Sequence, residues 1–506
     1  MPNLAKPNII VAFFQWLRYN FYTKKFNTVA GCIVMGLVGV AIATGSAKVS
    51  PALPMIIAFA MAGLLFVIIV FRYPAFGFYT SLVASSCLSM PDRLFTTPVP
   101  IPLGLVIEAI QYLTLLSIIA KQYRERTNIG NFWRNPITIM YLVLIAYFIV
   151  DILNPVPHST LGWFNYVRKQ FSYLAFYYMA FILMNSYEKI VQFIKIWLLL
   201  ALGIAVYGIK QQWFGLAGFE TNWFHRNPDA YALAFQSGFL RKMSVLTDPA
   251  TFGVLCASSM VFTLVLAIRT PSKKRRYQFL LATVAFFLAA SYSGTRSCNL
   301  MIVAGILGYA IFTMNERRTY TIMIAFVFIG AFILLGPFKN NLVVQRINTT
   351  FQGNKDASAM LRSINRHHVQ PYLQQHAMGG GISTSGFEGG NYNKGHYLSE
   401  FQPDSGFMKI LAEQGWIGLI LHLTFYFIFM RIGIRGYFHA VDPRIKTLYI
   451  AITICLFSLL AGQYSQLAIA PYPQILFYFT ALIILYKLKN YDTINPETTG
   501  NQKEPA

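Results

Sequence analysis

Apolar runs of about twenty residues recur along the chain, separated by short polar turns. A run of that length spans a bilayer as a helix, because only a helix satisfies its own backbone groups in hydrocarbon. Fourteen runs are predicted, near 28–47, 51–71, 73–90, 102–120, 136–153, 171–186, 190–209, 249–268, 278–292, 298–314, 320–336, 416–433, 447–466 and 471–486. Two longer polar passages interrupt them, about 210–248 and 337–415, and no internal repeat is visible. The tail after Lys489, "NYDTINPETTGNQKEPA", has the composition of a disordered segment. The expected fold is therefore an all-α polytopic membrane protein with about 14 transmembrane helices and one large helical loop. By region, 1–336 carries helices 1–11 with an external loop near 210–248. The large loop is 337–415, helices 12–14 occupy 416–489, and 490–506 is a cytoplasmic tail.

Composition agrees: 56% of the 506 residues are hydrophobic and only 12% are charged, against about 25% charged in soluble proteins. A net charge of +23 would suggest nucleic acid in a soluble chain, but here its placement matters more. With both termini cytoplasmic, one set of loops holds Lys24 and Lys25, then Lys121, Arg124 and Arg126, the basic run from Arg269 to Arg276, Arg317 and Arg318, and Arg431, Arg435, Arg444 and Lys446. The short loops on the other side hold only Lys48, Arg93, Arg168, Lys169 and Arg296. Basic residues concentrate in cytoplasmic loops, so both long loops face the periplasm or cell exterior. Membrane lipids, not nucleic acid, are the expected surroundings. Five scattered cysteines without a CxxC pair predict neither a disulfide framework nor a metal site.

The external loops carry the candidate chemistry. "FLRKMSVLTDPATFG" sets Arg241 and Lys242 before the eighth run, "SYSGTRSCN" sets Arg296 in a tight turn, and "NYVRKQFSY" sets Arg168 and Lys169 at another outer edge. Orientation signals do not explain cations on this side; a pyrophosphate would, since guanidinium groups hold phosphate oxygens in bidentate pairs. In the large loop a helix is predicted after Ser358, with Met360, Leu361, Ile364, Val369 and Leu373 sharing an apolar side. Arg362 and Arg366, four apart, share a face. "GGGIS" follows, where Gly380 and Gly381 either offer backbone amides to an anion or form a connector. In "PDSGFMKILAEQGWIGL", Asp404 or Ser405 caps a helix that Gly415 ends. His367, His368, His376 and His396 lack HExxH spacing, so no metal is expected. Trp163, Phe164, Tyr166, Trp213, Trp223 and Phe224 either stack on sugars or form an interfacial belt.

Taken in order, "RKMSVLTDPATFG", "SGTRS", "DASAMLRSINRHHVQPYLQQHAMGGGIS" and "PDSGFMKILAEQGWIGL" resemble the O-antigen ligase and O-antigen polymerase superfamily, over about 240 to 435. The resemblance implies a glycosyltransferase fold of the C type in the bacterial inner membrane. It implies transfer of a glycan from an undecaprenyl-diphosphate carrier to a glycan or lipid A-core acceptor at the periplasmic face, without metal, cofactor or nucleotide sugar. It makes Arg241, Arg296 and Arg362 the donor-diphosphate contacts; Arg366, Arg168, Gly380 and Gly381 are further substrate-binding candidates from the loop residues themselves. The family's ligases place His, then Asn, Ser or Gln, then nine residues and Gly-x-x-Gly, before the twelfth span. Ser405, Gly415 and Gly418 fit, but Asp404 stands at the histidine position, so a base role passes to Asp404, to His396, or to neither. The alternative from another class is a lipid-linked glycan flippase or secondary transporter, for which Glu108 is the deeply placed charge.

Overall fold

The computed structural model describes residues 53–95, 102–125, 130–236, 238–335, 337, 344–345 and 357–492, with isolated positions 19, 28, 29, 31, 33, 36, 37 and 39. Most of the predicted first span, the 493–506 part of the tail and the side chains of Leu361, Arg362 and His368 lie outside the described residues. The chain divides into two compact units, Met1–Tyr73 and Pro74–Ala506. The first is represented by α1, Leu53–Arg72.

The second unit opens with α2 (Pro74–Ser86), α3 (Met90–Leu94), α4 (Leu103–Glu125), α5 (Gly130–Trp133), α6 (Pro136–Val150), α7 (Thr160–Leu183) and α8 (Tyr187–Trp213). The passage predicted as an external loop folds into α9 (Gly218–Arg226), α10 (Pro228–Ala234) and a small hairpin, β1 (Phe235–Gln236) with β2 (Phe239–Leu240). The hairpin pairs Phe235 with Leu240 and Gln236 with Phe239. Then come α11 (Pro249–Arg269), α12 (Lys273–Tyr292), α13 (Arg296–Phe312), α14 (Arg317–Leu335), α15 (Ala357–Gln375), α16 (Gly386–Tyr392), α17 (Gly406–His439), α18 (Pro443–Gln463) and α19 (Gln474–Lys487).

Side-chain caps start many of these helices: Asn135 for α6, Ser159 for α7, Ser186 for α8, Asp248 for α11, Ser405 for α17 and Asp442 for α18. Each accepts from a backbone N–H that the first turn would otherwise leave unpaired. Among the described residues, six helices are long and apolar enough to cross a membrane, namely α4, α6 with its 3₁₀ extension to Leu153, α8, α11, α17 and α18. The predicted third span is only the 13-residue α2. The predicted sixth begins earlier, at Thr160. The predicted twelfth fuses with the loop helix before it, across a break at Gly415, whose φ of 64° suits glycine.

The centre of the body is α11, 89% of whose apolar window is buried by protein, whereas α17 is only 28% buried there. Membrane helices gain little from hiding apolar groups from lipid, so close packing of small residues holds them together. Gly305 on α13 lies against Val261 on α11, and Gly462 on α18 against Met301 on α13. A side chain at either glycine would collide at 2.7–2.8 Å.

Hydrogen bonds sort the connections into two ends. At one, Arg269 binds Glu316 at 2.7 Å and Tyr437 at 3.1 Å, and Asp492 accepts from the Val441 amide. The basic turns before α12 and α14 are here. The hairpin, the Ser293–Thr295 turn and the segment 376–405 gather at the other end.

Candidate active site

Arg93 organises the approach to the first cluster. Its side chain is 1% exposed and its guanidinium donates to the carbonyls of Ser244 and Leu246 and to Met243 Sδ, over the Trp223 ring. An arginine on the wrong side for orientation is thus structural, because it fixes the segment that follows Arg241. From there Arg241 Nε donates to Ser293 O at 3.0 Å, Nη2 to Thr295 Oγ1 at 2.8 Å and Nη1 to Gln236 Oε1 at 3.4 Å. The next residue after Thr295, Arg296, begins α13. Burial lowers the Arg241 guanidinium from its ordinary value; Asp248 opposes this and the Arg296 charge adds to it. Asp248 itself is committed to capping α11, accepting from Thr251 N and Oγ1. Two predicted arginines therefore meet on one hydrogen-bonded turn, an arrangement that favours an arriving anion.

The second cluster lies at the same end of the body. Arg366 on α15 binds Asp404 at 3.2 Å and rests over the Tyr464 ring at 5.2 Å, donating to Tyr464 O. Tyr464 follows Gly462, which packs on Met301, itself about 8 Å along α13 from Arg296 at 1.5 Å per residue. Ser405, not Asp404, caps the following helix. The Asp404 carboxylate is thus paired with a guanidinium. Arg362 sits on α15 one turn before Arg366.

Several predicted roles require correction. The glycine run does not offer a row of open amides: Gly379 N donates to His376 O, Gly380 N to Ala412 O, and Ile382 N, just after Gly381, to Asp151 Oδ2 at 2.9 Å. Gly379 packs on the break at Gly415, and Gly381 against Pro157. Gly380, bonded to Ala412 of α17 and packed on Leu398, and Gly381, packed on Pro157 in the turn after α6, are therefore close-packing positions. Arg168 pairs with Glu108 at 3.2 Å, which commits both to structure and removes Glu108 as a lone intramembrane charge. His396 is 6% exposed and its Nδ1 accepts from the Leu398 amide at 3.1 Å. A neutral ring accepting there carries its proton on Nε2 and cannot take another at that atom. Burial lowers its pKa, with His158 and His376 adding to the effect. His396 is thus a poor base. On α15, among the described members of the predicted apolar side, Val369 and Leu373 are buried, while Met360 and Ile364 are exposed.

A charged group that the sequence did not single out sits beside these residues. Glu388 on α16 binds Lys409 at 2.8 Å and Lys169 at 3.5 Å. Lys409 also approaches the fully buried Glu413 at 3.9 Å, and Ser385 Oγ donates to Glu413 Oε1 at 2.6 Å. Burial raises the Glu388 carboxyl, but Lys409 and then Lys169 outweigh it and hold it below the usual range.

Comparison with known families then bears on the same stretch. Residues 252–423 match the O-antigen ligase family model. The match covers about a third of the chain and bears out the resemblance to the O-antigen ligase and polymerase superfamily. The O-antigen ligase segment contains Arg296, Arg366, Asp404 and the Glu388–Lys409–Glu413 group, while Arg241 lies eleven positions before its start. No curated protein matches the chain.

Proposed function

We propose that this protein transfers a glycan from an undecaprenyl-diphosphate carrier to an acceptor glycan, or to a lipid A-core acceptor, in the synthesis of a surface polysaccharide. The observation that carries the reading is the meeting of Arg241 and Arg296 on one turn, at the end of the body where Arg366 and Asp404 pair. The O-antigen ligase match over 252–423 supports the reaction class. In the reaction, the bond from the anomeric carbon to the diphosphate oxygen breaks while the acceptor hydroxyl oxygen bonds to that carbon. Negative charge collects on the leaving diphosphate, and the hydroxyl proton leaves to Asp404. Arg241 and Arg296 hold the growing charge, which is where preorganised donors contribute most. Arg366 positions Asp404, and the reaction needs no metal or nucleotide sugar.

The proposed setting is a bacterial inner membrane, crossed 14 times in a C-type arrangement, with both termini cytoplasmic and the loop 337–415 periplasmic. Gly390 is exposed with open space around it and Ser272 is exposed at the opposite end, so cysteines there report sidedness. In a Cys87→Ser background, Gly390→Cys should react with an impermeant thiol reagent in intact spheroplasts, and Ser272→Cys only after lysis. The functional test is the glycan profile of a deletion strain. Loss of the repeat ladder with one unit still attached indicates a polymerase, and a full ladder stranded on the carrier indicates a ligase. An unchanged profile, lipid-linked pool included, contradicts both.

A further inference from the structure

Beneath the charged group lies a cavity of about 350 Å³ between α6, α7, α17 and the 463–479 segment. Aromatic rings form about a third of its lining, with Tyr141, Tyr166, Phe425 and Phe479 among them. Among the described residues, three buried polar atoms of the lining have no hydrogen-bond partner: Glu413 Oε2, Gln414 Oε1 and Tyr478 Oη. Two are acceptors only, and the third both donates and accepts. A buried acceptor left unmade costs the full desolvation of the group, so its occupant must supply hydroxyl or amide hydrogens. The cavity is at the small end of ligand sites, which combine apolar walls with a few polar groups.

Charge decides what kind of occupant. Lys169 and Lys409 face this space, but both are held by Glu388, and Lys409 also by Glu413. The lining therefore balances its own charges and offers little to a diphosphate, unlike the Arg241–Arg296 turn. A neutral, hydroxyl-rich ring with apolar faces satisfies the orphan acceptors and the aromatic walls together. We propose that this cavity is a carbohydrate subsite holding one sugar ring of the glycan, with Glu413 and Gln414 accepting from its hydroxyls. The identification of that sugar with the substrate rests on the transfer reading; the binding itself does not.

The test uses full-length purified protein and the repeat-unit oligosaccharide released by mild acid from the host's lipid-linked glycan, with binding read by saturation-transfer NMR. The wild type should bind it. Tyr478→Phe, which removes one hydroxyl, should weaken binding about tenfold or more at unchanged melting temperature. Glu413→Gln, which keeps the volume but also loosens the Lys409 pair, should weaken it as much in the protein that remains folded at a lowered melting temperature. Arg296→Lys should bind the free oligosaccharide as the wild type does. No binding by the wild type at millimolar oligosaccharide means the cavity holds water only, and overturns the proposal; equal binding by wild type and Tyr478→Phe with Glu413→Gln also overturns it. Sugar binding that depends on Glu413, in a protein inactive in transfer, would instead sink the transferase reading and leave the subsite standing.

Discussion

Arg241 and Lys409 are both cations in the parts of the chain that gather at the loop-bearing end, yet they are bonded in opposite ways. Arg241 donates to a carbonyl, a hydroxyl and an amide oxygen, all neutral. Lys409 is shared between two carboxylates. Neutral partners fix a guanidinium's direction without cancelling its charge, whereas carboxylates cancel it and tie elements together. The first cluster is suited to meet an anion, and the second to pin the loop to the helices. The same contrast separates Arg241 from Arg168, which Glu108 neutralises.

The largest effect should come from the first cluster. Replacing Arg241 or Arg296 by Gln should cut turnover about 10²- to 10³-fold, the size associated with losing a preorganised donor. Expression and detergent melting should stay near wild type, and a turnover within about threefold of wild type would remove the contrast. Next is Asp404→Asn, which keeps the shape but cannot take a proton. A loss of about 10²-fold is expected, with Arg366→Gln losing less because it acts through Asp404. Full activity in Asp404→Asn would leave that pair purely structural.

Arg168→Gln should behave as a stability variant. Breaking its pair with the buried Glu108 should cost about 1 kcal/mol, discounted because Arg168 is partly exposed. Thermal unfolding in detergent measures it, and per-molecule turnover should stay within severalfold of wild type. A large activity loss at unchanged stability would return Arg168 to the anion site. The smallest effect is on pH. Because the folded Glu388 carboxyl is held below its ordinary 4.5, its contribution is fully present above that value and lost as pH falls through the lower folded one. The hydrogen-exchange protection factors of residues 386–392, taken relative to the intrinsic rate at each pH, should therefore be steady from neutral pH down to about 5 and fall only below 4.5. The fall in protection is the quantity compared between variants. In Lys169→Gln, which lacks one of the lowering charges, the fall should begin at higher pH.

Local pattern made much of this fold legible. Apolar runs located the six helices long enough to cross a membrane, Ser405 and Gly415 marked a start and a break, and the "SGTRS" turn marked Arg296. What the pattern lacked was partners distant in sequence. Ile382 N and Asp151 are 231 residues apart, and nothing local distinguishes an amide so engaged from one open to an anion. The glycine run therefore looks like an anion cradle in the sequence and is a packing element in the fold. Lys409 and Glu413, four apart at a helix start, have the spacing of a solvated surface pair. Only the packing of α16 and Ser385 over them makes them an interior group.

The central claim is that the Arg241–Arg296 turn recognises the donor's diphosphate. The most direct measurement is binding of two carriers that differ only in that group, a glycan on undecaprenyl diphosphate and the same glycan on undecaprenyl monophosphate. It should be made on purified wild type and on the Arg241→Gln/Arg296→Gln double variant. The account predicts that the wild type prefers the diphosphate by about tenfold or more and that the double variant binds both alike. A double variant that still discriminates as well as the wild type would place the diphosphate elsewhere and contradict the account.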